Sequence, residues 1–308
     1  MLKKKERIKL LLRATRVNQW IKNVVVFTAV IFSGQLFNWP VFLTSFYAFL
    51  IFCLLSSTSY VLNDIIDYQY DRRHPVKRHR PIASGRISIQ EATFIVFVLT
   101  LISLILSLFF SLKFFFVALI FILLHFFYSL YLKKHPVIDI FTISLSFVLR
   151  ALGGEVATGF HIPIWLLLTI FFLSLFMATV KRHAELVTHG TGTRSSLLRY
   201  KEHLLDFLTN TFATTTIIAY AFYTYLERLP PTQPFLAEFF DTLFPNFEVR
   251  RWMMVTIPFV VYGISRYAQL LYERDEGEAP EKIITKDRPL IATMVVWGLI
   301  IIILIYVL

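Results

Sequence analysis

Asn63, Asp67 and Asp71 stand four residues apart. On a helix each is rotated by about 40° from the last, so all three share one face. Two carboxylates and a carboxamide on one face suit Mg²⁺, a hard cation that takes oxygen ligands and usually keeps waters and substrate phosphates in its shell. Asp64 lies one position off that face and is expected to matter less as a direct ligand. Basic side chains follow at once: Arg72, Arg73, Lys77, Arg78 and Arg80, with His74 and His79 among them. They suit the phosphates that such a metal would carry. The bland alternative is a solvated salt-bridge cluster. Charge at membrane depth is costly to keep without a role, which favours the functional reading.

Other ionisable residues fit the same chemistry. Arg150, in Phe147-Val148-Leu149-Arg150-Ala151-Leu152-Gly153-Gly154, lies deep in an apolar run. It reads as a phosphate ligand in a central cavity or as one end of an internal salt bridge to Asp139 or Glu155. Lys181, Arg182 and Glu185 close another apolar run, where Lys181 and Glu185 form either a helix-surface ion pair or part of an anion site. Lys22 and Asn23 open the first run and are candidates to contribute. Arg266 is equally compatible with snorkelling and with function. Trp20 reads as an interfacial anchor and His125 as a packed side chain. There is no Ser/His/Asp triad, Walker loop or zinc pattern. Cys53 is the only cysteine, which excludes an intrachain disulfide and a cysteine-based metal site.

The elements that must position these residues are membrane helices. The chain has 308 residues, is 56% hydrophobic and carries 32 Phe, far more apolar than a soluble domain of this length. Runs of about 20 apolar residues mark spans, and nine are expected: 20–38, 41–62, 92–111, 114–132, 137–157, 163–180, 207–226, 252–272 and 289–308. No soluble domain of appreciable size remains, so residues 1–308 read as a single integral-membrane domain. With the N-terminus in the cytoplasm, inside segments hold 25 of the 31 Lys and Arg and outside segments only Lys113, Arg228, Arg250 and Arg251. That asymmetry orients the chain, N-terminus inside and C-terminus outside. The net charge of +11 thus belongs mainly to a cytoplasmic face, and nucleic acid is not a partner. The 227–251 outer segment reads equally as an interfacial amphipathic helix or as a connector. The apolar run after the basic N-terminus lacks a small-residue cleavage site and is expected to stay as the first helix.

These residues resemble the UbiA superfamily of intramembrane prenyltransferases. The Asn-x-x-x-Asp-x-x-x-Asp motif matches at Asn63, Asp67 and Asp71, and the likeness in span number and motif position covers nearly the whole chain. Within the superfamily the sequence is most similar to the decaprenyl-phosphate phosphoribosyltransferase branch, through Gln19-Trp20-Ile21-Lys22-Asn23, the stretch from Asp71 to Gly85, Leu149-Arg150-Ala151-Leu152-Gly153-Gly154, Lys181-Arg182-His183-Ala184-Glu185-Leu186 and Asp287-Arg288-Pro289-Leu290. The resemblance implies an all-α polytopic fold, nine transmembrane helices around a central cavity. It implies a bacterial plasma (inner) membrane enzyme with its active site facing the cytoplasm. Prenyltransferases carry a second aspartate-rich motif after the sixth span; here that place holds Lys181, Arg182 and a single acid, Glu185.

One acidic wall and one basic wall suit two anionic substrates better than a prenyl diphosphate with a neutral acceptor. The expected reaction is Mg²⁺-dependent transfer of 5-phosphoribose from 5-phosphoribosyl 1-diphosphate to a polyprenyl phosphate, releasing diphosphate and feeding cell-envelope glycan synthesis. Asp67 and Asp71 carry the catalysis, with Asn63 as a third metal ligand. Lys22, Asn23, Arg72, Lys77, Arg78 and Arg80 are expected on the donor. Arg150, Lys181, Arg182 and Glu185 are expected at the acceptor or another phosphate. A prenyltransferase acting on an aromatic acceptor and a transporter of anionic solutes are the alternatives. The sequence leaves a homo-oligomer open.

Overall fold

The computed structural model describes residues 4–74, 76–189, 202–227, 249–273 and 286–307. Nearly all of them are helical. Helix α1 (Lys4–Ala14) leads into a 3₁₀ segment (Val17–Phe27) that runs straight into α2 (Thr28–Phe32). Then come α3 (Trp39–Ile66), the short α4 (Tyr68–Arg73), α5 (Ile89–Phe110), α6 (Leu112–Leu130) and α7 (Ile138–Thr158). The chain continues through α8 (Ile164–His189), α9 (Glu202–Leu226), α10 (Ile257–Glu273) and α11 (Arg288–Tyr306).

Helix boundaries follow local chemistry. Ser88 and Glu91 form a Ser-x-x-Glu start, and the Ser88 hydroxyl accepts from the Glu91 backbone N–H at 3.1 Å. Ser111 alone separates α5 from α6 and caps the latter through the Phe114 N–H at 3.0 Å. Asp287 caps α11 at the Leu290 N–H (2.9 Å), with Pro289 in the first turn. Asp287 also pairs with Arg266 on α10 at 2.9 Å. Arg266 thus clasps the last two helices.

Among the described residues, six helices are long and apolar enough to cross a membrane: α3, α5, α6, α7, α8 and α11. Nine spans were expected, and the other three depart for identifiable reasons. The first expected span is Val17–Phe32, a shorter helix that is mostly 3₁₀. The seventh, α9, is long enough, but Thr209, Thr216 and Thr224 are polar and turn inward, each buried. The Thr216 hydroxyl returns to the Phe212 carbonyl at 2.6 Å, the local bond that lets a threonine sit in an apolar setting. The eighth is split between a 3₁₀ turn (Val249–Thr256) and α10. The 227–251 outer segment lies almost wholly outside the described residues.

Helix α5 is the outermost layer. Phe94, Phe97, Leu101 and Phe109 stand exposed on it, as expected of a face toward lipid. Helix α7 sits at the centre, against the 3₁₀ segment, α2, α3, α6 and α8. Its Gly153-Gly154 pair allows that closeness. A Cβ on Gly153 would meet the Phe52 ring, and one on Gly154 would collide with the Val26 carbonyl. A ring can turn aside; backbone gives little. Gly154→Ala is therefore expected to destabilise the protein by about 3 kcal/mol, in the upper range for overpacking. A thermal melt in detergent that matches the parent would contradict this.

Candidate functional site

The acidic motif sits where α3 ends. Asp67 adopts φ −88°, ψ 0° and closes the helix. The turn-to-turn bonds nevertheless continue, from Asp67 N–H to the Asn63 carbonyl and from Asp71 N–H to the Asp67 carbonyl, each 2.9 Å. The expected four-residue stagger thus survives the break into α4. Asn63 Nδ2 donates to Asp67 Oδ2 at 3.1 Å. Lys133 Nζ donates to Asn63 Oδ1 at 3.0 Å and to Asp67 Oδ1 at 2.6 Å, and Lys133 is buried. Sequence reasoning counted Lys133 only among loop charges. A signal was present: a connector this short, between α6 and α7, has to lie at the same end of the bundle as the end of α3.

Asp71 turns elsewhere. It is buried, and its Oδ2 accepts from Arg80 Nη1 at 2.6 Å. The same Nη1 reaches Asp64 Oδ1 at 3.1 Å, and Arg16 Nη2 donates to that Asp64 oxygen at 2.5 Å. Asp64 is thus a buried acceptor for two guanidinium groups. The motif residues fall into two clusters, Asn63–Asp67–Lys133 and Asp64–Asp71–Arg80–Arg16.

The basic stretch forms a short loop folded back on α4. Arg72 Nε donates to the Ala83 carbonyl at 3.2 Å, and its guanidinium lies 5.8 Å from the Tyr68 ring. Lys77 and Arg78 belong to a 3₁₀ turn (Lys77–His79), which His74 Nδ1 supports by accepting from the Val76 and Lys77 N–H groups. Arg78 is exposed. The loop closes at Gly85, whose φ of 75° is the left-handed region where glycine is at ease. Ile82 and Ile87 then bury against Leu10, Ala14, Val61 and Ala92, anchoring the loop to α1, α3 and α5. Lys22 Nζ donates to Gln19 Oε1 at 2.8 Å.

Deeper in the bundle Arg150 holds the 3₁₀ segment. Its Nε donates to Asn23 Oδ1 at 2.7 Å, and Nη1 donates to the Ser146 carbonyl and hydroxyl, both at 2.9 Å. Asn23 also accepts from Ser56 at 3.0 Å and donates to Cys53 Sγ at 3.3 Å. Phe121 and Phe147 flank the guanidinium at 4.9 and 5.0 Å. Arg150 pairs with neither of the acids considered for it. Asp139 is bound to Arg182, and Glu155 accepts from the Ile162 N–H and pairs with His161. No carboxylate among the described residues pairs with Arg150, so its counter-charge comes only from dipoles and rings. His125 is packed, as expected, against Phe121.

The end of α8 is a brace between helices. Arg182 is 2% exposed, and its Nε bonds to Asp139 Oδ2 at 2.8 Å and its Nη1 to Glu185 Oε2 at 2.6 Å. Asp139, in the first turn of α7, is fully buried. Lys181 is half-buried beside it.

Among the described residues no three His, Cys, Asp or Glu side chains converge as a ready-made metal centre. The donor chemistry still fits a hard divalent cation with an incomplete protein shell. Asn63 Oδ1 and Asp67 Oδ1 already meet on one cationic group, the Lys133 ammonium, and waters and phosphate oxygens normally complete such a shell. A cleft lined by Thr44, Tyr47, Phe109 and Val156 lies at the opposite ends of α3 and α7 from these acids and takes no part in this chemistry.

An apolar helical bundle with most of its acids and bases gathered at one end defines a multi-pass membrane protein. The chain belongs to the UbiA prenyltransferase family, whose model matches residues 24–187. It is 32% identical to the decaprenyl-phosphate phosphoribosyltransferase of Corynebacterium glutamicum, over 96% of this chain and 87% of that one. It is 34% identical to the protein of the same name from Mycolicibacterium smegmatis, over 93% and 89% respectively. Among solved structures, a UbiA homolog from Archaeoglobus fulgidus bound to GPP and Mg²⁺ shares the fold, with a TM-score of 0.69 and 20% identity over 96% of this chain and 99% of that one.

Proposed function

We propose that this protein transfers 5-phosphoribose from 5-phosphoribosyl 1-diphosphate to a polyprenyl phosphate of decaprenyl type. The observation that carries the reading is similarity along nearly the whole chain to relatives bearing the phosphoribosyltransferase name. The site geometry agrees, because Asn63 and Asp67 pair their oxygens on Lys133 at the end of α3, and the basic loop docks Arg80 on the neighbouring Asp71.

Asn63 and Asp67 would hold Mg²⁺, joined by Asp71 through the carboxylate oxygen that Arg80 does not bind; the ion would neutralise charge developing on the departing diphosphate. Lys22, Asn23, Arg72, Lys77, Arg78 and Arg80 serve the donor. Lys133 joins them, because an ammonium already poised on Asn63 and Asp67 needs only a small movement to meet a phosphate. On the other wall Lys181, half-buried, is the member for the acceptor phosphate. Arg182 and Glu185 shape that wall through their own ion pair, and Arg150 holds Asn23 in place. An oxygen of the acceptor phosphate attacks the anomeric carbon as its bond to diphosphate breaks. That oxygen is already ionised at neutral pH, so no general base is required, and the chain offers no obvious one. The ribose carbon passes through an oxocarbenium-like state stabilised by position and charge.

Nine crossings in one domain fit this reading. A 3₁₀ segment rises about 2 Å per residue and an α-helix about 1.5 Å, so Val17–Phe32 reaches roughly 30 Å, the thickness of a bilayer core. The basic loops support a cytoplasmic site in a bacterial plasma membrane.

The test is purified protein with Mg²⁺, labelled phosphoribosyl diphosphate and a polyprenyl phosphate. Label is expected to move into the organic phase and to stay in water in the presence of excess chelator. A parallel reaction supplies prenyl diphosphate and aromatic acceptors. Product only in that second reaction makes the protein a prenyltransferase. Product in neither reaction leaves the transporter.

A further inference from the structure

Arg80 is held in an unusual way. Its Nη1 alone binds both Asp64 and Asp71, while its Nε and Nη2 have no hydrogen-bond partner among the described residues. The side chain is 27% exposed. One corner of the guanidinium is fixed and the other edge remains a free two-pronged donor, the geometry that grips two oxygens of a phosphate.

What fixes that corner is a second ion pair. Asp64 and Asp71 together carry two negative charges, and Arg80 supplies one positive charge. Arg16 supplies the other, through its bond to Asp64. Without it the cluster would be net negative and would repel an arriving phosphate. Asp64 is 3% exposed, and a buried carboxylate with too little compensation would draw Arg80 inward. Arg16 reaches Asp64 from a backbone of φ 50° and ψ 49°, a left-handed conformation that a long L side chain adopts only under constraint. Its guanidinium also lies 5.1 Å from the Tyr60 ring, and its carbonyl accepts from the Gln19 N–H at 2.8 Å. The bend between α1 and the 3₁₀ segment thus delivers a counter-charge to Asp64.

We propose that Arg16 and Asp64 are positioning residues for the donor: they keep the Asp64–Asp71–Arg80 cluster neutral and hold the free edge of Arg80 ready for the donor's phosphate oxygens. This rests on the reading of Arg80 as a donor ligand. Neither residue touches the substrate. Their effect is on donor affinity rather than on the chemical step.

The experiment uses the full chain in detergent and reads two quantities: steady-state kinetics with varied phosphoribosyl diphosphate, and calorimetric binding of inorganic diphosphate with Mg²⁺. Arg16→Gln is expected to raise the donor KM and weaken diphosphate binding about tenfold, the size of one charge-assisted hydrogen bond, with kcat changed less than about twofold. Arg16→Lys restores the charge and should recover most of the affinity. In an Arg80→Gln background, Arg16→Gln should add less than about twofold, because nothing remains to be aimed. An unchanged donor KM, a loss confined to kcat, or the same loss in both backgrounds would overturn the proposal. If Arg16→Gln does not fold, Arg16→Lys decides, since parent-like affinity with lysine supports a charge role and a tenfold loss refutes it. If the parent binds diphosphate but transfers no phosphoribose, the enzymatic reading falls and the diphosphate data judge Arg16 on their own. A parent that binds no diphosphate sinks both.

Discussion

Asp67→Asn is expected to lower turnover about a thousand-fold or more, while the protein remains folded in the membrane. Asp67 is the acid that the structure leaves nearest to exchange. Its side chain is 27% exposed, it bonds to Asn63, and its only ionic partner among the described residues is a lysine. Replacing one carboxylate oxygen with an amide removes the negative charge that a divalent ion needs and turns one acceptor into a donor. A loss of about 4 kcal/mol in transition-state stabilisation corresponds to that factor. The same substitution strands the buried Lys133 ammonium, so some stability is lost as well, and Lys133→Gln in the Asp67→Asn background should return the stability without the activity. Label transfer into polyprenyl product and a detergent melt, read on both variants, separate the two effects. Turnover in Asp67→Asn above a few per cent of the parent would remove the carboxylate from the mechanism.

Arg182→Ala should be the most damaging single change outside the acidic motif, and mainly through stability. It takes the paired guanidinium away from Asp139, which is fully buried, and from Glu185. Breaking a buried pair by removing one partner typically costs about 3–5 kcal/mol, because the opposite charge is gone and the remaining one stays out of water. The brace joins the start of α7 to the end of α8, so the damage should spread along that interface. Asp139→Asn in the Arg182→Ala background should recover much of the melting temperature, since a neutral amide is cheaper to bury. If Arg182→Ala instead melts like the parent and loses only affinity for the polyprenyl phosphate, Arg182 is a substrate ligand and not a brace.

Other relations were present in one dimension and survived folding. Asn63 and Asp67 stand four residues apart, and helix geometry alone brought their side chains together, whereas Asp71, past the break at Asp67, turns to share Arg80 with Asp64. The span positions followed from apolar runs, because only a helix satisfies its own backbone in lipid. The Gly-Gly pair after Arg150 was visible as sequence, but its reason, the Val26 carbonyl against Gly154, was not. Nor could hydropathy separate a 3₁₀ segment from an α-helical one, since an apolar run reads alike in either.

The sequence by itself therefore determined a membrane bundle, the end of it that carries the charge, and the residues proposed to meet a metal and phosphates. Tertiary structure alone decided which partner each base meets. Lys133 reaches Asp67 across 66 positions, Arg16 reaches Asp64 across 48, Arg182 reaches Asp139 across 43 and Arg150 reaches Asn23 across 127. Local periodicity sets the direction of a side chain on its own helix, while its partner is set by which helices are neighbours and at what height. That choice is made by packing, through contacts such as Gly154 on Val26, and leaves no spacing in the sequence to read.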